Sequence, residues 1–243
     1  MSEQKLLLIH CDWSTNPDFN PEKPELVIKK LNIKCIGRTD PAFILDSFMD
    51  YDGVLLIGCP VGDCHFIEGN IQTEIKIRML HKLMEKIGIE PTRLAVKWAS
   101  PSDQGSAMNA LDEYLDEFVE LGELKLNNQE SLKAARYTME NYRMRAFAGK
   151  ELMLSEKGNA YGEKLPKEDL DEMIGEALEL EFYRNWIHMI LKTEMLSVKQ
   201  LAKRVGLSPR EVLKHVVVLN KRGLIQREGA DGFTPLYVAM EAQ

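Results

Sequence analysis

The chain has 243 residues, of which 44% are hydrophobic and 28% charged, with a net charge of −7. That length holds one large domain or two small ones with a real core, and no apolar run approaches the ~18 residues of a membrane span. The apolar stretch within residues 1–10 is too short for a signal peptide. A soluble, cytoplasmic protein is therefore expected, in a compartment where thiols stay reduced and clustered cysteines point to metal or redox chemistry rather than disulfides.

In chain order, residues 5–9 read as a short apolar strand and 12–24 as a turn-rich loop with three prolines; a second strand ends near Lys34 and Cys35. Asp40 suits a helix N-cap and Pro41 the first helical position, starting a helix through Met49. Residues 53–57 form a buried strand, and 69–87 a helix with Ile71, Ile75, Ile77, Met79, Leu80 and Leu83 at roughly helical spacing, closed by Gly88. A fourth strand follows over 93–98 and a helix over 102–121, capped by Ser102 and stopped by Gly122. Strands alternating with helices predict an α/β domain over residues 1–122, a parallel, flavodoxin-like sheet flanked by helices.

Residues 123–180 read as a helical connector: a charged amphipathic helix over 129–148, a glycine-containing linker over 149–165 and an acidic helix over 166–180. Residues 181–243 read as a small winged-helix domain. An aromatic-rich helix (182–192) precedes a helix–turn–helix pattern over 197–219, in which Gly206 closes the first helix, Ser208 caps the second and Pro209 opens it. A β-hairpin completes it, with strands near 223–228 and 236–238. Residues 180–243 carry ten Lys and Arg against six Asp and Glu, so this part is +4 and the remainder −11.

The four cysteines, Cys11, Cys35, Cys59 and Cys64, all follow strand-like runs, and the separations Cys11–Cys35 and Cys35–Cys59 are both 24 residues, about one βα unit. Sites in parallel sheets lie beyond the carboxyl ends of the strands, so the four thiols are placed to converge. Four thiolates satisfy a [2Fe–2S] or [4Fe–4S] cluster and zinc equally; the plain alternative is four small buried hydrophobes. Gly58 and Gly62 would let backbone amides approach the sulfurs. His10 and His65 adjoin candidate ligands and are expected in supporting roles. Arg38 is read either as a group steadying a reduced cluster or meeting a partner's cofactor, or as half of a surface ion pair. Asp63 is expected to shape its turn and Trp98 to fill the core. No Gly-x-Gly-x-x-Gly, phosphate loop or paired nucleophile and base is present, so neither a resident flavin nor bond chemistry is expected.

Cys35-Ile36-Gly37-Arg38, Gly58-Cys59-Pro60-Val61-Gly62-Asp63-Cys64-His65-Phe66 with Gly69-Asn70, and Trp98-Ala99-Ser100 resemble the methyl-viologen-reducing hydrogenase delta subunit family, over residues 1–122. The resemblance implies a [2Fe–2S] subunit on Cys11, Cys35, Cys59 and Cys64. It would relay electrons between a hydrogenase or other dehydrogenase and the flavin of a heterodisulfide-reductase-like subunit. The family's first loop resembles Cys-Cys-Asn-Trp-Cys, whereas this chain reads His10-Cys11-Asp12-Trp13-Ser14. No spare thiol remains, and a cluster-free scaffold is the corresponding alternative. The C-terminal region would dock partner proteins. In the competing reading, Arg210, Lys214, His215, Lys221 and Arg222 contact DNA and the chain is an iron–sulfur redox-sensing regulator.

Overall fold

The computed structural model describes residues 3–15, 19–23, 26–100, 102–103 and 105–240. Four strands, β1 (Lys5–Cys11), β2 (Val27–Ile33), β3 (Gly53–Gly58) and β4 (Leu94–Trp98), form one parallel sheet in the order β2-β1-β3-β4. The order reverses at β1: the chain leaves it toward β2 on one side and returns to β3 on the other. Parallel strands buried on both faces read as continuous apolar runs, and every residue of β3 and all but the first of β1 are buried.

The two faces are covered differently. On one face Leu6, Leu8, Leu55 and Ile57 pack under a single helix, α3 (Ser106–Leu121), through Leu111, Tyr114 and Phe118. On the other, Leu7, Ile9, Val54 and Leu56 meet α1 (Pro41–Ser47) and α2 (Gly69–Ile87). Asp40 caps α1 by accepting from the Ala42 N–H, with Pro41 at the first helical position, as the sequence reading expects. The expected helix start at Ser102 moves to Ser106. Among the described residues no helix is long and apolar enough to cross a membrane.

Arg93 fastens this half together. It is 2% exposed and donates to the Asp52, Gly122 and Leu121 carbonyls at 3.0, 2.9 and 2.9 Å, and to Glu90 at 2.7 Å. It therefore satisfies carbonyls at the end of α3 and ties them to the start of β3, where an unpaired buried acceptor would be costly.

Beyond residue 122, α4 (Gln129–Glu140) and α5 (Tyr142–Leu152) replace the single helix expected over 129–148. Asn141 is extended at φ −62° and ψ 132°, and its side chain accepts from the Arg143 N–H, starting a new helix instead of continuing the old one. The glycine-containing segment begins only after α5 and a wide turn, Met153–Lys157. The two helices expected over 166–180 and 182–192 are one continuous 25-residue helix, α6 (Lys167–Leu191). Nothing in its sequence interrupts the face of Leu170, Ile174, Leu178, Phe182 and Trp186. The chain ends with β5 (Leu196–Ser197), α7 (Val198–Val205), α8 (Pro209–Lys221), β6 (Ile225–Asp231) and β7 (Thr234–Ala239). Here the expected helix pair and hairpin are present, and β5-β7-β6 form an antiparallel sheet. Both α7 and α8 start with complete capping boxes, Ser197/Gln200 and Ser208/Glu211.

These elements share the core of the sheet: buried Leu201, Val205, Val212, Val216 and Ile225 are contiguous with Phe182, Ile187, Leu83 and Leu56. Glu181 on α6 is the polar counterpart, 2% exposed and bonded by Arg143 of α5 (3.0 Å), Arg184 (2.7 Å) and Arg222 at the end of α8 (3.0 Å). Burial pushes its pKa up, but the bonds from Arg222 and Arg184 outweigh that and hold it below the usual value.

Two outcomes follow. Arg93→Met leaves three carbonyls without their donor and is expected to lower stability by about 3 kcal/mol or more in urea denaturation; a loss below about 1 kcal/mol would contradict the role given to it. Glu181 contributes stability that is present above its unfolded value of 4.5 and lost as pH falls through its lower folded value. Thermal melting of the wild type should therefore fall over that acid interval, and Glu181→Gln should flatten that part of the profile.

Candidate iron–sulfur or metal centre

Cys11 is the last residue of β1, Cys59 follows β3 directly and Cys35 follows β2. The first two therefore sit where the strand order reverses, the usual place for a ligand beyond a parallel sheet. Cys11 and Cys59 are buried with their sulfurs 3.5 Å apart. Cys35 and Cys64 form a second pair: a Cβ placed on Gly69, the first residue of α2, would collide with the Cys35 sulfur and stand 3.1 Å from that of Cys64. Only glycine admits this approach. Gly37 permits the same closeness from the opposite side, since a Cβ there would lie 2.8 Å from the Gly69 Cα.

Two of the thiols, Cys35 and Cys59, respond to their neighbours. Burial first, then the charge and hydrogen bond of the Cys11 thiol and lastly the charge of Cys64, push Cys59 up to about 12. Burial likewise raises Cys35, reinforced by Cys64 and Cys11. Two backbone amides oppose the rise by donating to sulfur, Gly37 N–H to Cys35 and His65 N–H to Cys59. The N-terminus of the 19-residue α2 abuts the second pair, adding the positive end of a helix dipole where thiolate charge would collect.

Asn70, buried beside Gly69, holds the Cys59 loop in shape by donating to the Pro60 carbonyl at 2.8 Å and the Cys59 carbonyl at 3.3 Å. Its clamp was readable only as part of the Gly69-Asn70 motif. Ser14, in the thinned first loop, is wholly buried and donates to the Cys11 and Ile57 carbonyls at 3.0 and 2.9 Å. Its hydroxyl joins the ends of β1 and β3. The Cys59 thiol donates to the Trp13 carbonyl at 3.2 Å, and the Trp13 ring stacks on His65 at 3.9 Å.

The remaining candidates separate cleanly. His10 precedes Cys11 on β1 and so faces the other side of the sheet, where its ring meets Thr15 at 2.9 Å and Phe19; it does not join the cysteines. Burial, with the charge of Lys30, lowers its pKa. Asp63 is exposed, and its N–H donates to the Pro60 carbonyl to close the turn. Trp98 is partly buried against the core. Arg38 is exposed and has no ion pair among the described residues. In the C-terminal region Arg210, Lys214 and Lys221 are exposed, whereas His215 is buried and Arg222 is held by Glu181.

Among the described residues, no group of three or more His, Cys, Asp or Glu is gathered for a single metal ion. The sulfurs fall instead into two neighbouring pairs. Paired thiols of this kind suit a thiophilic metal or iron–sulfur group.

The family pattern described as methyl-viologen-reducing hydrogenase, delta subunit, matches residues 7–122. An F420-non-reducing hydrogenase iron-sulfur subunit of Archaeoglobus profundus is 32% identical over 130 residues, covering 51% of this chain and 94% of the relative. The vhc F420-non-reducing hydrogenase iron-sulfur subunit of Methanococcus voltae is 33% identical, with 49% and 88% covered. A Methanosarcina acetivorans protein, a ferredoxin/F(420)H(2)-dependent CoB-CoM heterodisulfide reductase subunit, is 31% identical over 96 residues, which are 39% of this chain but 12% of that protein.

In the metal-free chain, iodoacetamide should label the partly exposed Cys64 before Cys35 and Cys59, whose thiols burial keeps protonated. Gly69→Ala should speed labelling of Cys35 severalfold by forcing its sulfur out of contact. Peptide mass spectrometry reads both; equal rates in the two proteins would contradict the packing described.

Proposed function

We propose, from the premise that this chain belongs to the methyl-viologen-reducing hydrogenase delta subunit family, that Cys11, Cys35, Cys59 and Cys64 hold one [2Fe–2S] cluster. The protein is then a non-catalytic iron–sulfur subunit of a redox complex. It relays electrons between a hydrogenase or other dehydrogenase and a flavin-containing, heterodisulfide-reductase-like subunit. The observation that carries this reading is the pairing of the four sulfurs at the reversal of strand order. When bound, such a cluster supplies one-electron transfer. The chain's own part is to gather the thiolates, aim two backbone N–H groups and a helix N-terminus at them, and exclude water from three of the four.

The relatives support the setting. Two are named iron-sulfur subunits of hydrogenases, and in the third a matching segment lies within a heterodisulfide reductase subunit. The cysteine loops also present a rim of exposed apolar side chains: Trp13, Val61, Phe66 and Ile67. Ile67 is 82% exposed at φ +64°, a strained conformation for a β-branched residue. Apolar rims of this kind are protein-contact surfaces, and this one surrounds the least buried ligand, Cys64.

For the rest of the chain we infer a flavodoxin-like iron–sulfur domain over 1–122, a helical connector over 123–180 and a winged helix over 181–243 that docks partner proteins in the cytoplasm. Exposed Leu213 and Val217 interrupt Arg210, Lys214 and Lys221 on α8. With Arg222 and His215 engaged internally, that face suits a protein better than a phosphate backbone. The DNA-binding regulator remains the second reading.

Anaerobic purification followed by iron and sulfide analysis and electron paramagnetic resonance tests the centre. About two irons per chain and a signal on reduction are expected; zinc, or no metal, would overturn the proposal. Cys59→Ser should abolish cluster loading while the C-terminal helices keep their far-ultraviolet signature, and normal loading would remove Cys59 from the ligand set.

A further inference from the structure

Strand β2 lacks a layer. Parallel sheets are found with both faces covered, and β1 and β3 obey this, but five of the seven residues of β2 are exposed. The crossover after β2 contains only a single 3-10 turn, Ile36–Arg38, and the seven-residue α1, about 10 Å long, and α1 packs against α4 instead of reaching back across the strand. The result is a cavity of about 440 Å³ between β2 and α1, with Leu31, Ile33 and Phe43 as apolar walls and Cys35 at its inner end. Leu31 and Phe43 are large apolar side chains left exposed. The Thr39 hydroxyl, on a residue 92% buried that lines the cavity, has no hydrogen-bond partner.

The charge here opposes that of the surrounding protein. Residues 23–38 contain five Lys and Arg against one acidic residue, within a region, residues 1–179, whose balance is −11. Much of the local acid is already engaged: Asp40 binds Arg145 at 2.7 Å and Asp12 binds Lys34 at 2.6 Å. Lys29 and Arg38 have no acidic partner among the described residues. An uncovered apolar strand with unpaired cations is complementary to an apolar segment carrying carboxylates.

We infer that the β2–α1 face is a second docking surface, built for an acidic, apolar segment of a partner protein that supplies the missing layer over β2. It rests on the relay reading and adds a direction to it. The partner approaches on the Cys35 side, so the site has two faces of different chemistry, one cationic and one apolar with Asp63 and Glu68 exposed in it. A relay between two proteins needs two such faces, and their different chemistry prevents either partner from taking the other's place.

The test is carbodiimide cross-linking, which joins amines directly to carboxylates, on the full-length chain in its natively purified complex. Lys29, which shares a face of β2 with Leu31 and Ile33, is expected to couple to Asp or Glu of a partner protein. In a companion measurement on purified partner proteins, K29E/R38E should weaken binding about tenfold or more and remove most of its salt dependence. F43S should weaken binding without changing the salt dependence. Iron content and circular dichroism, taken on the same samples, separate docking from folding and from the cluster. Iron present with no β2 cross-links and unchanged affinity in K29E/R38E would overturn the docking surface alone. Cross-links without iron would leave it standing while the cluster fails. Cross-links confined to a second copy of this chain would also overturn it.

Discussion

The site depends on one close approach, that of the first turn of α2 to the ends of the strands. Gly69 lets the Cys35 and Cys64 sulfurs lie against its Cα, and Gly37 lets the turn after β2 lie against Gly69. With that contact made, the N-terminus of α2 faces the second sulfur pair and Asn70 reaches the Cys59 loop. The first pair needs no such device, because Cys11 and Cys59 end neighbouring strands and the β1–β3 pairing alone brings them together. One pair is thus made by sheet register at the reversal of strand order and the other by the placement of the first turn of α2 beside the turn after β2.

The C-terminal elements are tied to that arrangement through α6. This helix packs against α2 on one side and α8 on the other, and the buried apolar residues on both sides form one core. Glu181 adds a polar fastening with three arginines from α5, α6 and the end of α8. A buried carboxylate surrounded by several donors is specific in geometry because any displacement leaves charge unpaired at a cost of several kcal/mol. A displacement of α8 would therefore be passed through α6 to the helix whose first turn bounds the sulfurs.

The alternation of elements and the placement of Cys11, Cys35 and Cys59 just at or after strand ends were legible in the sequence. Continuous apolar runs, Asp40-Pro41 and Ser208-Pro209 are local signals, and the structure keeps them. Features set by tertiary contact were not legible. The break at Asn141 arises from a side chain competing for backbone bonds, and the same residue type could equally lie inside a helix. The continuity of α6 through residues 180 and 181 follows from a partner on each side, which composition does not reveal. His10 and Cys11 are adjacent in sequence yet lie on opposite faces, a consequence of the two-residue strand period that becomes visible once β1 is known to extend to Cys11. The bare β2 was hidden for the opposite reason: its exposed residues include Val27 and Leu31, which read as core.

The protonation of the buried thiols bears on how a metal centre would form. Three of the four thiols are buried, and burial with mutual repulsion keeps Cys35 and Cys59 protonated at neutral pH, Cys59 up to about 12. Ligation must therefore release protons, so loading strengthens as pH rises. The loop carrying Cys64 contributes little apolar burial, since Val61, Phe66 and Ile67 all face solvent and Ile67 holds a strained backbone. Its order rests on Asn70, a few turn bonds and the sulfur contacts themselves. The strands and α2 are already fixed by the core, whereas this loop gains its remaining order from what binds its cysteine. A group bound at Cys64 and a protein covering Val61, Phe66 and Ile67 would consequently act on the same short segment. A chain with four cysteines has no alternative ligand to relieve it of that coupling.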